Sequence, residues 1–192
     1  MDKIQKIKLN YFWHLIDFLS YFFNRFGLIY ENIIGKEYEK EIKKFELFDS
    51  KNIFHIGCGA YPITALVLEK KTSANIVTID KDSMAIKFAK KVIKKKKLEN
   101  RINIDIGNGQ KFPVKNYDTI ILSSCSSPKE KILKHIFSKA NINTKIIVRD
   151  VNKNIDNLND IINSNNNIKL INKINNGSIP YFKWYSIYLK KK

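Results

Sequence analysis

The sequence predicts an α/β protein: a doubly wound, mostly parallel sheet that ends in an antiparallel hairpin, with a helical cap in front. Three observations carry this. From residue 52 onward, short apolar runs alternate with stretches of helical periodicity, the pattern of a parallel sheet with helices on both faces. Two Gly-x-Gly loops, Gly57-Cys58-Gly59 and Gly107-Asn108-Gly109, each follow such a run directly. The last two apolar segments have no helical stretch between them.

Residues 1–50 read as the cap and 51–192 as the sheet domain. Nine of the 23 aromatic residues lie between Tyr11 and Tyr30 without strand-like alternation. This part predicts one or two helices with a break near Gly27 or Gly35. A charged amphipathic helix follows over 36–48, with Tyr38, Ile42, Phe45 and Phe48 on one face. Strands are expected at 52–56, 75–79, 101–106, 117–122 and 144–148. Helices are expected at 62–70, 83–97 and 128–140, with a weaker one at 155–163. Segments 168–174 and 182–189 form the hairpin, turning across 175–180. No internal repeat is visible.

The chain has 192 residues, a formal charge of +17 and 44% apolar residues, enough for a core and against global disorder. Of its 35 basic residues only Arg25, Arg101 and Arg149 are arginine, and Lys, Ile and Asn together supply 86 residues. That triad is what an AT-rich genome writes, and bidentate recognition of bases and phosphates favours Arg. The charge therefore reads as composition and solubility before a nucleic-acid surface. Two cysteines without Cys-x-x-Cys spacing suit a reducing, cytoplasmic setting. Asp17 and Arg25 interrupt the apolar stretches near the start, so no membrane span is expected, and no small-residue cleavage site marks a signal peptide. Metal-ligand spacing of His, Cys and carboxylates is absent, so no metal is expected.

In an open parallel sheet, ligands bind beyond the carboxyl ends of the strands, and four of the seven glycines sit there. The first loop, Ile56-Gly57-Cys58-Gly59-Ala60-Tyr61-Pro62, has the strand–turn–helix context of a binding loop. Pro62 takes the place of a dinucleotide fingerprint's third glycine, and no Gly-Lys-Ser/Thr is present, so neither an NAD loop nor a P-loop fits. A Gly-x-Gly without phosphate machinery suits a ligand with a small carboxylate and amine, such as S-adenosylmethionine (SAM). Asp80 ends the second strand, where a carboxylate accepts from both hydroxyls of a ribose; its plainer role is a helix cap, for which Asp82 and Ser83 also stand ready. Asn108 offers a donor and an acceptor to an adenine edge, or closes a plain turn.

Together these residues resemble the class I SAM-dependent methyltransferases, whose fold is Rossmann-like. Gly57-Cys58-Gly59 is similar to their first motif, Asp80 to their ribose acid, and Asn108 stands at their adenine-contacting acid. Tyr117-Asp118-Thr119-Ile120-Ile121 resembles their fourth strand, and the hairpin their antiparallel final strand. The resemblance covers about residues 50–190 and implies SAM as cofactor. The residues it assigns to SAM are Gly57, Cys58, Gly59, Asp80, Lys81, Asn108, Gly109 and Ser123. One departure stands out: His55 occupies the place of the acid that helps hold the methionine amine.

A narrower resemblance covers about residues 35–150. Residues 56–65 look like the Gly-Ser-Gly-x-x-Pro-x-Thr/Ser loop of nicotianamine synthases and their archaeal relatives, which also lack that acid. Lys129-Glu130-Lys131 with Ile132, Leu133 and His135 resembles their helix after strand four. Residues 146–150 resemble their fifth strand, with Arg149, and Glu37-Tyr38 sits near their Asn-Tyr pair. This likeness implies transfer of the 3-amino-3-carboxypropyl group of SAM to an amine.

Catalytic candidates are Tyr38, Glu37 and Ser124. A cap glutamate with a pKa raised by burial could deprotonate an acceptor amine, although a glutamate on a helix is usually solvated. Ser123, Ser124 and Cys125 follow strand four, where polar groups orient an acceptor or simply form a loop. His55 is either a hydrogen-bonded core residue or a group beneath the methionine. The first expectation is a SAM-dependent methyltransferase acting on a small molecule. The alternatives are aminocarboxypropyl transfer, RNA methylation and a SAM-binding subunit without catalysis. The aromatic helices at 11–30 pack on the sheet, lie on a membrane surface or form a homodimer interface.

Overall fold

In the computed structural model, residues 15–16, 19–151, 155–179 and 182–192 are described. Tyr11, Phe12, Trp13 and Phe18 of the aromatic segment lie outside them. The cap helix α1 spans Asn24–Lys44. It is followed by β1 (Asn52–Ile56), α2 (Ile63–Lys71), β2 (Asn75–Asp80), α3 (Ser83–Lys96) and β3 (Ile102–Ile106). Then come β4 (Thr119–Leu122), α4 (Lys129–Lys139), β5 (Lys145–Val151), α5 (Ile155–Asn163), β6 (Ile168–Ile179) and β7 (Phe182–Lys191). The strands form one sheet in the order β3-β2-β1-β4-β5-β7-β6. β1 to β5 are parallel, and β7 runs antiparallel to both β5 and β6. The doubly wound sheet with its terminal hairpin is thus as the sequence predicts. The order reverses at β1 and β4, which opens a crevice at their carboxyl ends.

Strand alternation divides the core into two layers. Ile53, Ile76, Ile121 and Ile147 face α1, α2 and α3, against Ile34, Ile42, Leu66 and Ile93. Phe54, Ile79, Ile120, Ile146 and Val148 face the opposite layer, against Leu133, Ile136 and Leu158. His55, Thr78 and Arg149 share the parity of the first set. They bring polar groups to the strand ends on the cap side.

The cap departs from expectation in two ways. α1 runs without interruption through Gly27 and Gly35. These glycines serve packing instead of marking a break: a Cβ at Gly27 would lie 2.9 Å from the Ser20 carbonyl and from the Tyr61 hydroxyl. That close approach outweighs the ~1 kcal/mol that a mid-helix glycine costs relative to alanine. The interruption falls at Phe23, whose backbone is extended. Phe48 does not join the face of Ile42 and Phe45, because the helix has ended four residues earlier and Phe48 is exposed. The outer side of α1 carries an exposed apolar stripe of Phe26, Ile29 and Ile33. The hairpin is also longer than predicted: β6 reaches Ile179, with register shifts between Leu170 and Asn172 and between Asn176 and Ile179. Asn175 and Asn176 pair in register with Tyr185 and Trp184 of β7, where composition suggested a turn. Among the described residues no helix is long and apolar enough to cross a membrane.

Candidate active site

A cleft of about 450 Å³ opens at the carboxyl ends of β1, β2, β4 and β5, within the size range of small-molecule sites. All eight residues assigned to SAM from the sequence line it: Gly57, Cys58, Gly59, Asp80, Lys81, Asn108, Gly109 and Ser123.

The glycine loop owes its shape to backbone freedom. Gly57 and Gly59 have φ of 90° and 66°, values that cost other residues roughly 1–2 kcal/mol. A Cβ on Gly57 would also collide with the Ser126 hydroxyl. The amides of Gly57 and Cys58 both donate to the Ile79 carbonyl, at 2.8 and 3.2 Å. Asp80 fastens the loop from the other side: its Oδ2 accepts from Gly59 N at 3.0 Å and its Oδ1 from Asp82 N at 3.0 Å. Each oxygen keeps a second lone pair for a ribose hydroxyl. The capping role goes to Asp82, which accepts from Met84 N and Ala85 N at the start of α3. Asp80 is therefore aimed by two backbone donors and left available to a diol. At Asn108 the turn and pocket readings coexist: Oδ1 accepts from Gln110 N at 2.9 Å, and the residue still lines the cleft. Lys81 reaches across the cleft mouth to the Ser127 carbonyl at 3.5 Å.

At the β1–β4 junction His55 is buried between two hydroxyls, with Thr78 Oγ1 2.9 Å from Nδ1 and Ser123 Oγ 2.8 Å from Nε2. Burial first, and the Arg149 charge second, hold its pKa well below the usual histidine value, so the imidazole is neutral. Arg149 on β5 makes a buried bidentate pair with Glu41 of α1, Nε to Oε2 at 3.0 Å and Nη2 to Oε1 at 2.7 Å. Its Nη1 donates to Thr64 Oγ1 at 2.7 Å. Burial opposes the arginine's charge, but Glu41 outweighs it and holds the pKa above its ordinary value. The guanidinium lies 3.7 Å from the centre of the Tyr38 ring, a cation–π contact.

The cap helix supplies the outer wall. Tyr30, Ile34 and Tyr38 recur every four residues and line the cleft. Tyr61 joins them, its hydroxyl donating to Glu31 at 2.6 Å. Burial works against charge on Glu31, yet hydrogen bonds from Lys70, Lys96 and Tyr61 bring its pKa down to about 2. This cluster ties α1 to α2 and α3. Of the catalytic candidates, Tyr38 and Ser124 line the cleft. Glu37 is not among the lining residues, being rotated by about 100° from Tyr38 on the helix. It lies 3.6 Å from Lys40. With the Asn176 amide oriented to satisfy its neighbours, Asn176 donates to Glu37 Oε2 at 3.1 Å and accepts from Trp184 Nε1 at 3.1 Å. Glu37 thus supports Trp184, a wall residue, through Asn176. Among the described lining residues, Asp80 and Asp82 are the only carboxylates, and both stand where β2 passes into α3. Cys58 and Cys125 line the cleft, and neither is in a disulfide.

Sequence reasoning missed Glu41, Tyr61 and Trp184. A glutamate one turn from Tyr38, on the face that buries Ile34 and Ile42, was a signal for a buried partner. Nothing local marked Trp184, which reaches the cleft only because β7 inserts beside β5.

The donor set fits SAM: a carboxylate free for a diol, a loop in which side chains would fill the space, and an apolar and aromatic wall. Comparison with known proteins agrees. Residues 47–190 match the family model described as a methyltransferase domain. An L-histidine 2-aminobutanoyltransferase from Yersinia pestis is 26% identical over 120 residues, which is 62% of this chain and 45% of that protein. Among solved structures, a mutant of MtNAS in complex with S-adenosylmethionine superposes with a TM-score of 0.70 at 16% identity, over 84% of this chain and 63% of that one. The [4+2]-cyclase SpnF gives 0.70 at 10% identity, over 81% of this chain and 80% of its own. The chain therefore spans less than two thirds of the relatives from Yersinia and of MtNAS. The match spans residues 47–190, most of the chain, and the chain belongs to the methyltransferase domain family.

Proposed function

We propose that the protein transfers the 3-amino-3-carboxypropyl group of SAM to the amine of a small acceptor, an amino acid being the favoured class. The observation that carries this is the methionine end of the cleft. His55, neutral and buried, stands where a carboxylate would grip the amine, and no described lining residue supplies a carboxylate there. A methyltransferase gains by anchoring the amino-acid arm, which stays behind. An enzyme that passes the arm on loses rate if the ground state is held more tightly than the transition state. SAM supplies an activated carbon: the acceptor nitrogen bonds to it as the carbon–sulfur bond breaks, methylthioadenosine departs and the nitrogen's proton goes to solvent.

The chain's own residues bind and orient. Asp80 would hold the ribose, Asn108 and Gly109 would meet the adenine, and the loop at 57–59 would receive the methionine arm. Tyr30, Tyr38, Tyr61 and Trp184 wall the acceptor side and limit water. In this reading residues 1–50 form the cap and 51–192 the SAM domain. Kinship to an L-histidine 2-aminobutanoyltransferase supports an amino-acid acceptor. Methyl transfer is the second reading, favoured by the family to which the chain belongs.

The test is incubation with SAM and a panel of amino acids, followed by identification of the nucleoside product. Methylthioadenosine formed in step with a consumed amine supports the proposal. S-adenosylhomocysteine as the product overturns it in favour of methyl transfer.

A further inference from the structure

Thr78, His55 and Ser123 form a hydroxyl–imidazole–hydroxyl chain across β2, β1 and the end of β4, with links of 2.9 and 2.8 Å. Thr78 and His55 are buried, at 0% and 1% exposure, whereas Ser123 is half-buried and lines the cleft. Ser123 sits beside the glycine loop: its amide donates to the Ile56 carbonyl at 3.0 Å, and a Cβ on Gly57 would lie 3.2 Å from its Cβ.

A neutral imidazole has one donor and one acceptor nitrogen, so the tautomer couples the two hydroxyls. If Nδ1–H donates to Thr78, Nε2 accepts the Ser123 O–H and the serine turns its lone pairs toward the cleft. If Thr78 donates to Nδ1, Nε2–H donates to Ser123 and the serine O–H points outward. A positively charged amine in the cleft selects the first arrangement. A hydroxyl already donating its proton is also a better acceptor.

We propose that Ser123, oriented by the buried His55–Thr78 pair, receives the α-amino group of the SAM arm, so that a neutral hydroxyl replaces the ion pair a carboxylate would form. The proposal rests on the SAM reading of the site. Ser123 is the binding group, and His55 and Thr78 are positioning residues that act through it. A neutral grip orients the arm and releases it to the acceptor without breaking an ion pair.

The experiment is calorimetric titration of the full chain with SAM and, separately, with methylthioadenosine, which shares the nucleoside but lacks the arm. Ser123→Ala should weaken SAM by about tenfold, as expected for one hydrogen bond to a charged group, and leave methylthioadenosine within twofold. His55→Gln should move the same ratio in the same direction. His55→Glu, which restores an acid, should raise the preference for SAM over methylthioadenosine. Equal loss of both ligands in Ser123→Ala, with the thermal midpoint unchanged, would overturn the proposal, because it would show Ser123 shaping the loop alone. No change in either ligand would overturn it as well. A wild-type chain that binds neither compound would remove the SAM reading itself, an outcome distinct from a failed split between the two ligands.

Discussion

Replacing Glu41 by glutamine tests how the cap is joined to the catalytic sheet. Glu41 and Arg149 are 0% and 2% exposed and share two charge-assisted hydrogen bonds. Glutamine keeps the shape but turns an amide N–H₂ toward guanidinium donors and leaves the arginine's charge without its partner. Breaking such a buried pair from one side costs about 3–5 kcal/mol. For a chain of this length each kcal/mol moves the melting temperature by roughly 2–4 °C, so a fall on the order of 10 °C is expected. Urea unfolding without ligand, followed by circular dichroism, measures the free energy directly. Removing both charges, as Glu41→Leu with Arg149→Met, should restore most of the loss, because neither residue then buries an unpaired charge. A single variant within ~1 kcal/mol of the parent would refute the reasoning. It would mean that water in the cleft solvates the guanidinium as well as Glu41 does. The same variant should impair the wall, since the Tyr38 ring rests on that guanidinium at 3.7 Å.

Asp80→Ala should weaken SAM by at least tenfold, since a diol loses a charged acceptor worth ~1.5–3 kcal/mol per hydrogen bond; unchanged affinity by calorimetry would sink the ribose assignment. Gly57→Ala should cost roughly 1–2 kcal/mol from the backbone conformation alone, with a further penalty against Ser126, and should abolish SAM binding; a variant that binds SAM normally would show that the loop tolerates a side chain. His55, whose pKa is depressed in the folded chain, gives a pH signature. The unfolded chain takes up a proton near pH 6.5 that the folded chain refuses, so the contribution is complete above that value. Stability then falls by about 1.4 kcal/mol per pH unit as the pH drops below it. The slope between pH 6.5 and 5 should vanish in His55→Gln, and an identical slope in both proteins would assign it elsewhere. The Glu31 cluster acts lower, its stabilisation being lost between about pH 4.5 and 2.

SpnF shares this sheet while bearing the name of a cyclase, so the fold alone leaves the reaction open. What separates the readings here is a handful of groups at the β1–β4 junction and on the cap.

Much of the site was legible along the chain, and the reason is that its parts are local. The glycine loop, Asp80 and Asn108 each lie within a few residues of a strand end. A parallel sheet brings all its carboxyl ends to one edge, so naming the strands was enough to gather these residues around one cleft. The layering was legible too, since Ile53, Ile121 and Ile147 against Phe54, Ile120 and Ile146 follow the two-residue period of a strand. The tertiary structure alone decided the rest, because those contacts join residues far apart in sequence. Glu41 meets Arg149 across 108 positions, and His55 meets Ser123 across 68. Gly27 reads as a helix break until Tyr61 packs against it. Glu37 looks like a base until helical rotation carries it off the wall to Asn176. Periodicity assigns each residue to a face, but only the packing of α1 and β7 against the sheet sets which face meets which. The outer wall of the cleft is made by that packing.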